Sequence, residues 1–214
     1  MSRALESGVP VGTRSGTAER NTAERILDVG ERLVQSRGYN AFSYADVAAE
    51  LNVTKAALHY HFAGKAELGE ALLQRYVTRF AGALAALDAE PANAPRRLIA
   101  YSELYLDVLR RQQMCLCGML AAEFETLPEA MRGIVIRFFD DNEFWLSNVL
   151  EQGRREGTLH FTGPASETAR FMVAALEGAM LIARPFGDIS RFRKAVSSLI
   201  AGLGVSLQSA ADMG

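Results

Sequence analysis

Three aromatic or imidazole side chains stand in a row at His59-Tyr60-His61, near the end of a short segment that begins at Thr54. Imidazole and phenol groups hydrogen-bond phosphate oxygens and base edges, and the neighbouring Lys55 adds a cation. Three such side chains in succession are uncommon on a helix face that only meets water. We therefore expect this segment to bind a partner rich in phosphate or hydrogen-bonding edges.

Cys115 and Cys117 are the only two cysteines. Two cysteines so close together in the sequence cannot cross-link distant elements. A disulfide framework is therefore excluded, and a reducing compartment is favoured. They have no adjacent cluster of His or carboxylate ligands, so we expect neither a metal site nor another cofactor. Cys115 is predicted to begin a helix near Arg110 and Arg111, which would stabilise its thiolate; a small buried hydrophobe is the alternative.

The predicted elements around the first segment are short and capped. Asn21 and Glu24 have the spacing of a capping box and would open helix one, which ends near Gly38. A second helix is predicted to start after Ser43, whose capping partner would be Asp46. Thr54 can cap a third helix that runs to about Phe62. The link at Asn52 and Val53 is tight, and Asn tolerates the left-handed conformation that such a turn demands.

Two short capped helices joined by a tight turn are typical of a helix-turn-helix, whose second helix enters the DNA major groove. Leu58 and Phe62 lie four residues apart and would anchor that helix to the core. Lys55, Ala56, His59 and Tyr60 would then face outward, and the small Ala56 would permit close approach to bases.

The remainder of the chain shows helical periodicity and almost no alternating β-branched runs, which predicts an all-α fold of about nine helices. A long helix is expected from Lys65 to Leu87. The predicted organisation is a disordered arm (1–20), a three-helix DNA-binding head (21–66), a larger helical ligand-binding and dimerisation domain (67–208) and a flexible tail (209–214). Later helices are predicted at 95–112, 115–126, 128–156, 164–184 and 188–207.

The larger domain is rich in aromatic and sulfur-containing residues, which fill cores more often than they line pockets. This domain should hold the main core and any ligand cavity, and Glu123 and Glu125 could meet a cationic or hydrogen-bonding ligand. The last two helices carry apolar residues beyond one stripe, which favours a homodimer. The candidate effector-binding residues are Tyr101, Tyr105, Cys115, Met119, Phe124, Phe138, Trp145 and Phe171.

The net charge of −2 does not indicate a nucleic-acid partner. DNA binding must therefore depend on the local placement of hydrogen-bond donors. No run of 18 uncharged apolar residues occurs, and the N-terminus lacks the apolar core of a signal peptide. We therefore expect a cytoplasmic protein without a membrane partner.

Over residues 20–70 the chain resembles the DNA-binding domain of the TetR/AcrR family, with TAERIL at 22–27, FSYADVA at 42–48 and TKAALHYHFAGK at 54–65. The resemblance implies a homodimer on a near-palindromic double-stranded operator, released when a small molecule enters the C-terminal domain. It also implies phosphate contacts from Thr22, Tyr44, Tyr60 and Lys65 and base contacts from residues 54–59. The candidate DNA-binding residues are Thr22, Ser43, Tyr44, Thr54, Lys55, Ala56, His59, Tyr60, His61 and Lys65.

Three positions depart from the family pattern. His59 stands where tyrosine is common, while Asn52 and Ala56 replace common glycines. If His59 must donate to a phosphate, operator binding would weaken as pH rises through the usual range of imidazole titration.

The leading hypothesis is a ligand-responsive repressor, not an enzyme, whose effector is apolar or electrophilic. The segment from Cys115 to Glu123 also resembles a branch of the family associated with electrophile and redox sensing. A thiol sensor based on Cys115, a small thiol-dependent enzyme and a helical adaptor without DNA affinity remain alternatives.

Overall fold

A computed structural model describes the backbone of residues 14–205 and the side chains of residues 22–205. Over that range the chain forms nine α-helices and no strand, which confirms the all-α prediction. Two 3₁₀ turns, Phe124–Thr126 and Arg184–Phe186, lie between helices. The helices are α1 (Arg14–Arg37), α2 (Tyr44–Leu51), α3 (Lys55–His61), α4 (Lys65–Ala89), α5 (Ala94–Arg110), α6 (Leu116–Ala122), α7 (Glu129–Arg155), α8 (Ala165–Ala183) and α9 (Ile189–Ala201).

The first and last helices differ from the prediction. α1 begins at Arg14, so part of the predicted arm is helical and Asn21 lies inside the helix instead of capping it. Residues 14–20 contain no proline, so the backbone of this segment can continue the helix despite Gly16. α9 ends at Ala201, where a turn replaces the expected continuation to residue 207. Residues 1–13 and the predicted tail lie outside the described residues.

The helix-turn-helix forms as expected, because each of its caps is present. Ser43 and Asp46 make a reciprocal capping box at the start of α2, and the Thr54 hydroxyl accepts the Ala57 N–H at 3.2 Å. Asn52 ends α2 in the left-handed region with φ 55°. These contacts satisfy backbone donors at both helix starts and fix the turn that orients α3.

The core of the head is apolar and comes from three helices. Ile26 on α1, Val47 on α2 and Leu58 on α3 are all fully buried, and Phe62 packs beside them. Burying side chains of this size stabilises the head by roughly 1.5–3 kcal/mol each. α3 is thereby held by its inner face alone, and its outer face stays available.

The larger domain is built around α8, which packs mainly between α7 and α9. α4 contacts α1 in the head and α5, α6 and α7 in the larger domain, so a single helix belongs to both parts. Among the described helices, none is long and apolar enough to cross a membrane.

Candidate DNA-binding and effector sites

The outer side of α3 has the exposure that the sequence predicts. Lys55, Ala56, His59 and Tyr60 are exposed, and Tyr60 is 72% exposed although it is a large aromatic residue. We call these four residues the recognition face. No acidic residue lies between Thr54 and Phe62, so the face repels no phosphate from within its own segment.

His59 is oriented by two contacts. Its Nδ1 lies 3.1 Å from the Ala63 carbonyl oxygen, and its ring lies 4.7 Å from the Tyr44 ring. A carbonyl only accepts, so Nδ1 must carry a hydrogen to bond it. Nε2 of the neutral ring is then an acceptor, and it becomes a donor only when the ring is protonated.

Two of the predicted phosphate contacts have other roles in this structure. Tyr44 is buried and donates its hydroxyl hydrogen to the Phe62 carbonyl at 2.9 Å, so its phenol has no donor left for a phosphate. The Lys65 ammonium lies 4.6 Å and 4.8 Å from the ring centroids of Tyr39 and Phe42, and desolvation lowers the pKa of Lys65. Both residues fasten the α3–α4 junction to the head.

The other predicted DNA contacts divide between capping and open positions. Ser43 is exposed, but its hydroxyl is engaged with Asp46, and the Thr54 hydroxyl accepts within its own turn. Thr22 is half-buried on α1. His61 is half-buried with its ring edge against Tyr60 at 5.2 Å. The hydroxyls of Ser43 and Thr54 therefore shape the face, whereas its exposed side chains offer the free groups.

In the larger domain, several predicted effector residues come together in one aromatic cluster. Phe80, half-buried on α4, lies 5.1 Å from Phe138 and 6.2 Å from each of Tyr101 and Tyr105, measured between ring centroids. Trp145 stacks on Tyr101 at 5.4 Å and donates its indole N–H to Asp88. Phe80 was not among the predicted effector residues, because its spacing indicates only the apolar stripe of α4.

The same region contains polar groups that are buried away from water. Tyr105 and Tyr101 share a 2.9 Å hydroxyl contact, Tyr101 donates to Asn142 Oδ1 at 3.0 Å, and Asn142 donates to the Phe138 carbonyl. The Tyr76 hydroxyl donates to Cys115 Sγ at 3.5 Å. Glu177 is half-buried as a residue but its Oε1 atom is buried, and its charge acts on these groups. Together they form what we call the buried polar centre: Tyr76, Tyr101, Tyr105, Cys115, Asn142 and Glu177.

Cys115 does begin α6, as predicted, but its environment is the opposite of the expected one. Burial raises the pKa of the Cys115 thiol well above its ordinary value, and the negative charge of Glu177 raises it further. Arg110 pairs with Glu103 and Asp107. The expected stabilisation of a thiolate is therefore wrong, because desolvation and a like charge outweigh the helix terminus.

Three predicted effector residues lie elsewhere. Phe171 is 64% exposed on α8, so it lies outside the aromatic cluster. Phe124 is half-buried under the Arg132 guanidinium in the turn after α6. Met119 faces Arg184, whose Nη1 lies 3.6 Å from its Sδ. The prediction failed for Phe171 because helical periodicity identifies apolar faces without saying which one is buried.

The head and the larger domain are joined by contacts around α6. Glu123 accepts the backbone N–H of Tyr39 at 2.6 Å and lies 3.3 Å from that of Asn40, in the loop between α1 and α2. Gln35 and the Met114 backbone exchange two hydrogen bonds. Glu123 therefore bridges the head and the larger domain in this structure. These contacts account for its position without a ligand.

The exposed side of α8 is apolar from Phe171 to Ile182. Leu181 and Ile182 are about 60% exposed and Phe171 is similar, while Ala174 and Gly178 between them add no polar group. An exposed apolar stripe of this kind marks an interaction surface. It lies on one of the two helices that the sequence predicts for dimerisation.

Comparison with known proteins agrees with this geometry. Residues 26–72 match the family model of the bacterial regulatory proteins of the tetR family, and residues 94–199 match the model of a tetracyclin repressor-like C-terminal domain. A crystal structure of a TetR-family transcriptional regulator from Agrobacterium tumefaciens is 30% identical, with a TM-score of 0.83, over 86% of this chain and 98% of that one.

Two further relatives cover a similar part of the chain. A TetR transcriptional regulator from Legionella pneumophila is 30% identical, with a TM-score of 0.78, over 86% of this chain and 97% of that chain. The HTH-type transcriptional repressor NemR of Escherichia coli is 28% identical over 86% of this chain and 96% of its own length. The chain belongs to the TetR family, and it is a ligand-responsive, DNA-binding transcriptional repressor of that type.

Proposed function

We propose that the protein is a cytoplasmic homodimer that binds a near-palindromic operator through two recognition faces and leaves it when a small molecule binds the larger domain. The observation that carries the proposal is the exposure of the recognition face on a helix whose inner side is fully buried. Such a helix can enter the major groove without unfolding any part of the head.

The contacts that we assign on DNA follow from what each side chain has free. Lys55 supplies a cation to phosphate, and Tyr60 supplies a hydroxyl to phosphate or a base edge. Ala56 lets the backbone approach a thymine methyl, and His59 offers Nε2. Tyr44, Ser43 and Thr54 act indirectly by holding this arrangement.

The proposed switch depends on the distance between the two recognition faces. Successive major grooves on one side of DNA lie about 34 Å apart, so a dimer that deviates from this spacing binds poorly. The effector would bind among the aromatic residues of α4, α5 and α7, while α6 would carry the change to the head through Glu123. A difference of roughly 1–3 kcal/mol in effector affinity between the two states suffices for a useful switch.

A thiol sensor or thiol-dependent enzyme based on Cys115 is not favoured. Its thiol is buried, and burial and Glu177 together raise its pKa, so the nucleophilic thiolate is scarce at neutral pH. The test is the rate of alkylation by iodoacetamide in the folded protein. A rate as fast as that in the unfolded chain would restore this alternative.

The repressor proposal is tested by selecting genomic DNA fragments with the purified protein and measuring operator affinity as a function of salt. We expect Lys55→Ala to weaken binding and to reduce the salt slope by about one unit, as loss of one phosphate contact requires. Lys194→Ala, which removes an exposed cation from α9, is the matched control and should bind like the parent. Equal slopes for all three proteins would contradict the assignment.

A further inference from the structure

The buried polar centre contains a carboxylate whose hydrogen-bonding capacity is unmet. The Oε1 atom of Glu177 is buried and has no hydrogen-bond partner among the described residues. An unpaired buried carboxylate is costly, because it loses hydration without a compensating donor. Such a group in a native protein requires an explanation, for example a functional role or a bound water or ion.

The groups around Glu177 are short of donors. The hydroxyl hydrogen of Tyr76 goes to Cys115 Sγ, and the hydroxyls of Tyr105 and Tyr101 form a chain that ends on Asn142 Oδ1. Each of these hydroxyls is committed as a donor. Glu177 can be satisfied from this centre only by the weak S–H donor of Cys115, which lowers its pKa less than burial raises it.

The carboxylate is also held at a defined place by the shape of α6. A Cβ added to Gly118 would lie 2.2 Å from Glu177 Oε2, so the absence of a side chain at this position makes room for the carboxylate. Glu177 thus reaches from α8 over α6 towards Cys115. No Lys or Arg is among the groups that shift its pKa, which burial raises to about 7.

Aromatic rings surround the same centre. Tyr76, Tyr101 and Tyr105 all have their pKa raised by burial first and by the charge of Glu177 among the smaller causes, which places the carboxylate near three phenol rings. Phe80 and Trp145 are only half-buried at the margin of the cluster. Rings of this kind stabilise a cation through their faces and an apolar body through contact.

We propose that the effector of this regulator is a protonated amine with an apolar or aromatic body, whose ammonium N–H groups donate to Glu177 while its body packs among Phe80, Tyr101 and Trp145. The proposal rests on the proposed function and names the chemical class of its effector. An ammonium supplies both of the missing elements, hydrogen-bond donors and positive charge. A neutral alcohol supplies only a donor, and a carboxylate would be repelled.

The packing of the cluster defines how the ligand enters. Phe80 contacts Tyr101, Tyr105 and Phe138, so the ligand body must displace a ring to be enclosed. Trp145 is the only tryptophan of the chain and stacks on Tyr101, so its fluorescence reports this displacement directly. Binding of the ligand at Glu177 would also affect the neighbouring helix α6, because Cys115 and Gly118 both lie beside Glu177.

The experiment measures Trp145 fluorescence and thermal unfolding of the full chain, without DNA, while benzylammonium is added at pH 8. Benzyl alcohol and benzoate are the neutral and anionic probes of similar shape. We expect benzylammonium to change the fluorescence and raise the melting temperature at millimolar concentration, with the other two at least tenfold weaker, as the loss of a charge-assisted hydrogen bond implies.

Two variants separate the carboxylate from general effects. Glu177→Gln keeps the shape and removes the charge, and Gly118→Ala forces the carboxylate away. Both should weaken benzylammonium binding roughly tenfold or more, whereas Glu167→Gln, an exposed site on α8, should not change it. Retained binding in Glu177→Gln, equal binding of benzyl alcohol, or no response to benzylammonium up to about 10 mM would each overturn the proposal. Operator affinity, measured in parallel, tests the repressor function independently of these results.

Discussion

The recognition face and the buried polar centre are built in contrasting ways. The face comes from six consecutive residues, Lys55 to Tyr60, and its cap, its anchor Leu58 and its exposed groups all lie in one short segment. The buried polar centre draws Tyr76, Asn142, Glu177 and their partners from five helices. The recognition face is formed as soon as the small head folds. The buried polar centre exists only after the whole larger domain has packed.

The two sites therefore depend on different physical effects. On the recognition face the groups are in water, so each contact with DNA adds little by itself and depends on salt. In the centre the local dielectric is low, so one charge such as that of Glu177 shifts the pKa of several neighbours. We therefore expect changes at the face to be modest and additive, and changes in the centre to be large and coupled.

The largest expected effect comes from separating the two protomers. This change tests whether one recognition face alone is sufficient for operator binding. Leu181→Glu places a charge in the exposed apolar stripe of α8 and should dissociate the dimer, because burying an unpaired carboxylate costs several kcal/mol. Operator binding should be lost, by more than a hundredfold, although the head itself is unchanged. Sedimentation and gel shifts measure both quantities.

The matched control for this variant is Ala81→Glu, which adds the same charge to an exposed position of α4. It should stay dimeric and bind the operator. If Leu181→Glu remained a dimer with parental operator affinity, the apolar stripe of α8 would not be the dimer interface. The requirement for two recognition faces would then be untested by this variant and the assignment of the stripe would be wrong.

The next largest effect is expected in the stability of the larger domain. Burial raises the pKa of Glu177 to about 7, whereas an unfolded Glu titrates near 4.3. The folded state therefore binds this proton more tightly, and its contribution to stability is full below about pH 4 and is lost as pH rises through about 7. The expected loss is at most about 3.5 kcal/mol, because a difference of one in pKa between the folded and unfolded states corresponds to about 1.4 kcal/mol.

Urea unfolding of the parent and Glu177→Gln at a series of pH values measures this contribution. The parent should lose stability relative to the variant between about pH 4.5 and 7.5, and the variant should be the more stable above that range. The other titratable groups that respond to the charge of Glu177 are Tyr76 on α4, Tyr101 and Tyr105 on α5, Cys115 at the start of α6 and Cys117 on α6, and burial raises the pKa of each. Parallel stability profiles for the two proteins would show that the carboxylate is solvated.

A third test concerns the link between the two regions. Glu123→Gln keeps an acceptor for the Tyr39 N–H but removes the charge, which should weaken the bridge by about 1 kcal/mol. We expect operator affinity to change less than the ratio of affinities with and without effector, since the bridge couples the domains and touches no DNA. Glu125→Gln, on an exposed neighbour, is the control. An unchanged ratio would place the coupling elsewhere, for instance in α4.

The contrast also explains how much could be predicted from the sequence. The caps at Ser43 and Thr54 and the turn at Asn52 are local signals, and all three are confirmed. Phe171 is exposed and Glu177 was not predicted, because helical periodicity shows neither which apolar face becomes buried nor which residues of other helices a side chain meets. Gly118 offered a faint signal, since a glycine inside a short helix requires a reason such as close packing.

The smallest expected effect lies on the recognition face itself. Because His59 Nδ1 faces the Ala63 carbonyl, Nε2 can donate to a phosphate only when the ring carries a second proton. His59→Phe keeps a ring against Tyr44 and removes both ring nitrogens, so operator affinity should weaken a few-fold relative to the parent. If gel shifts gave both proteins the same affinity, His59 would only support Tyr44, and the charge of the face would come from Lys55 alone.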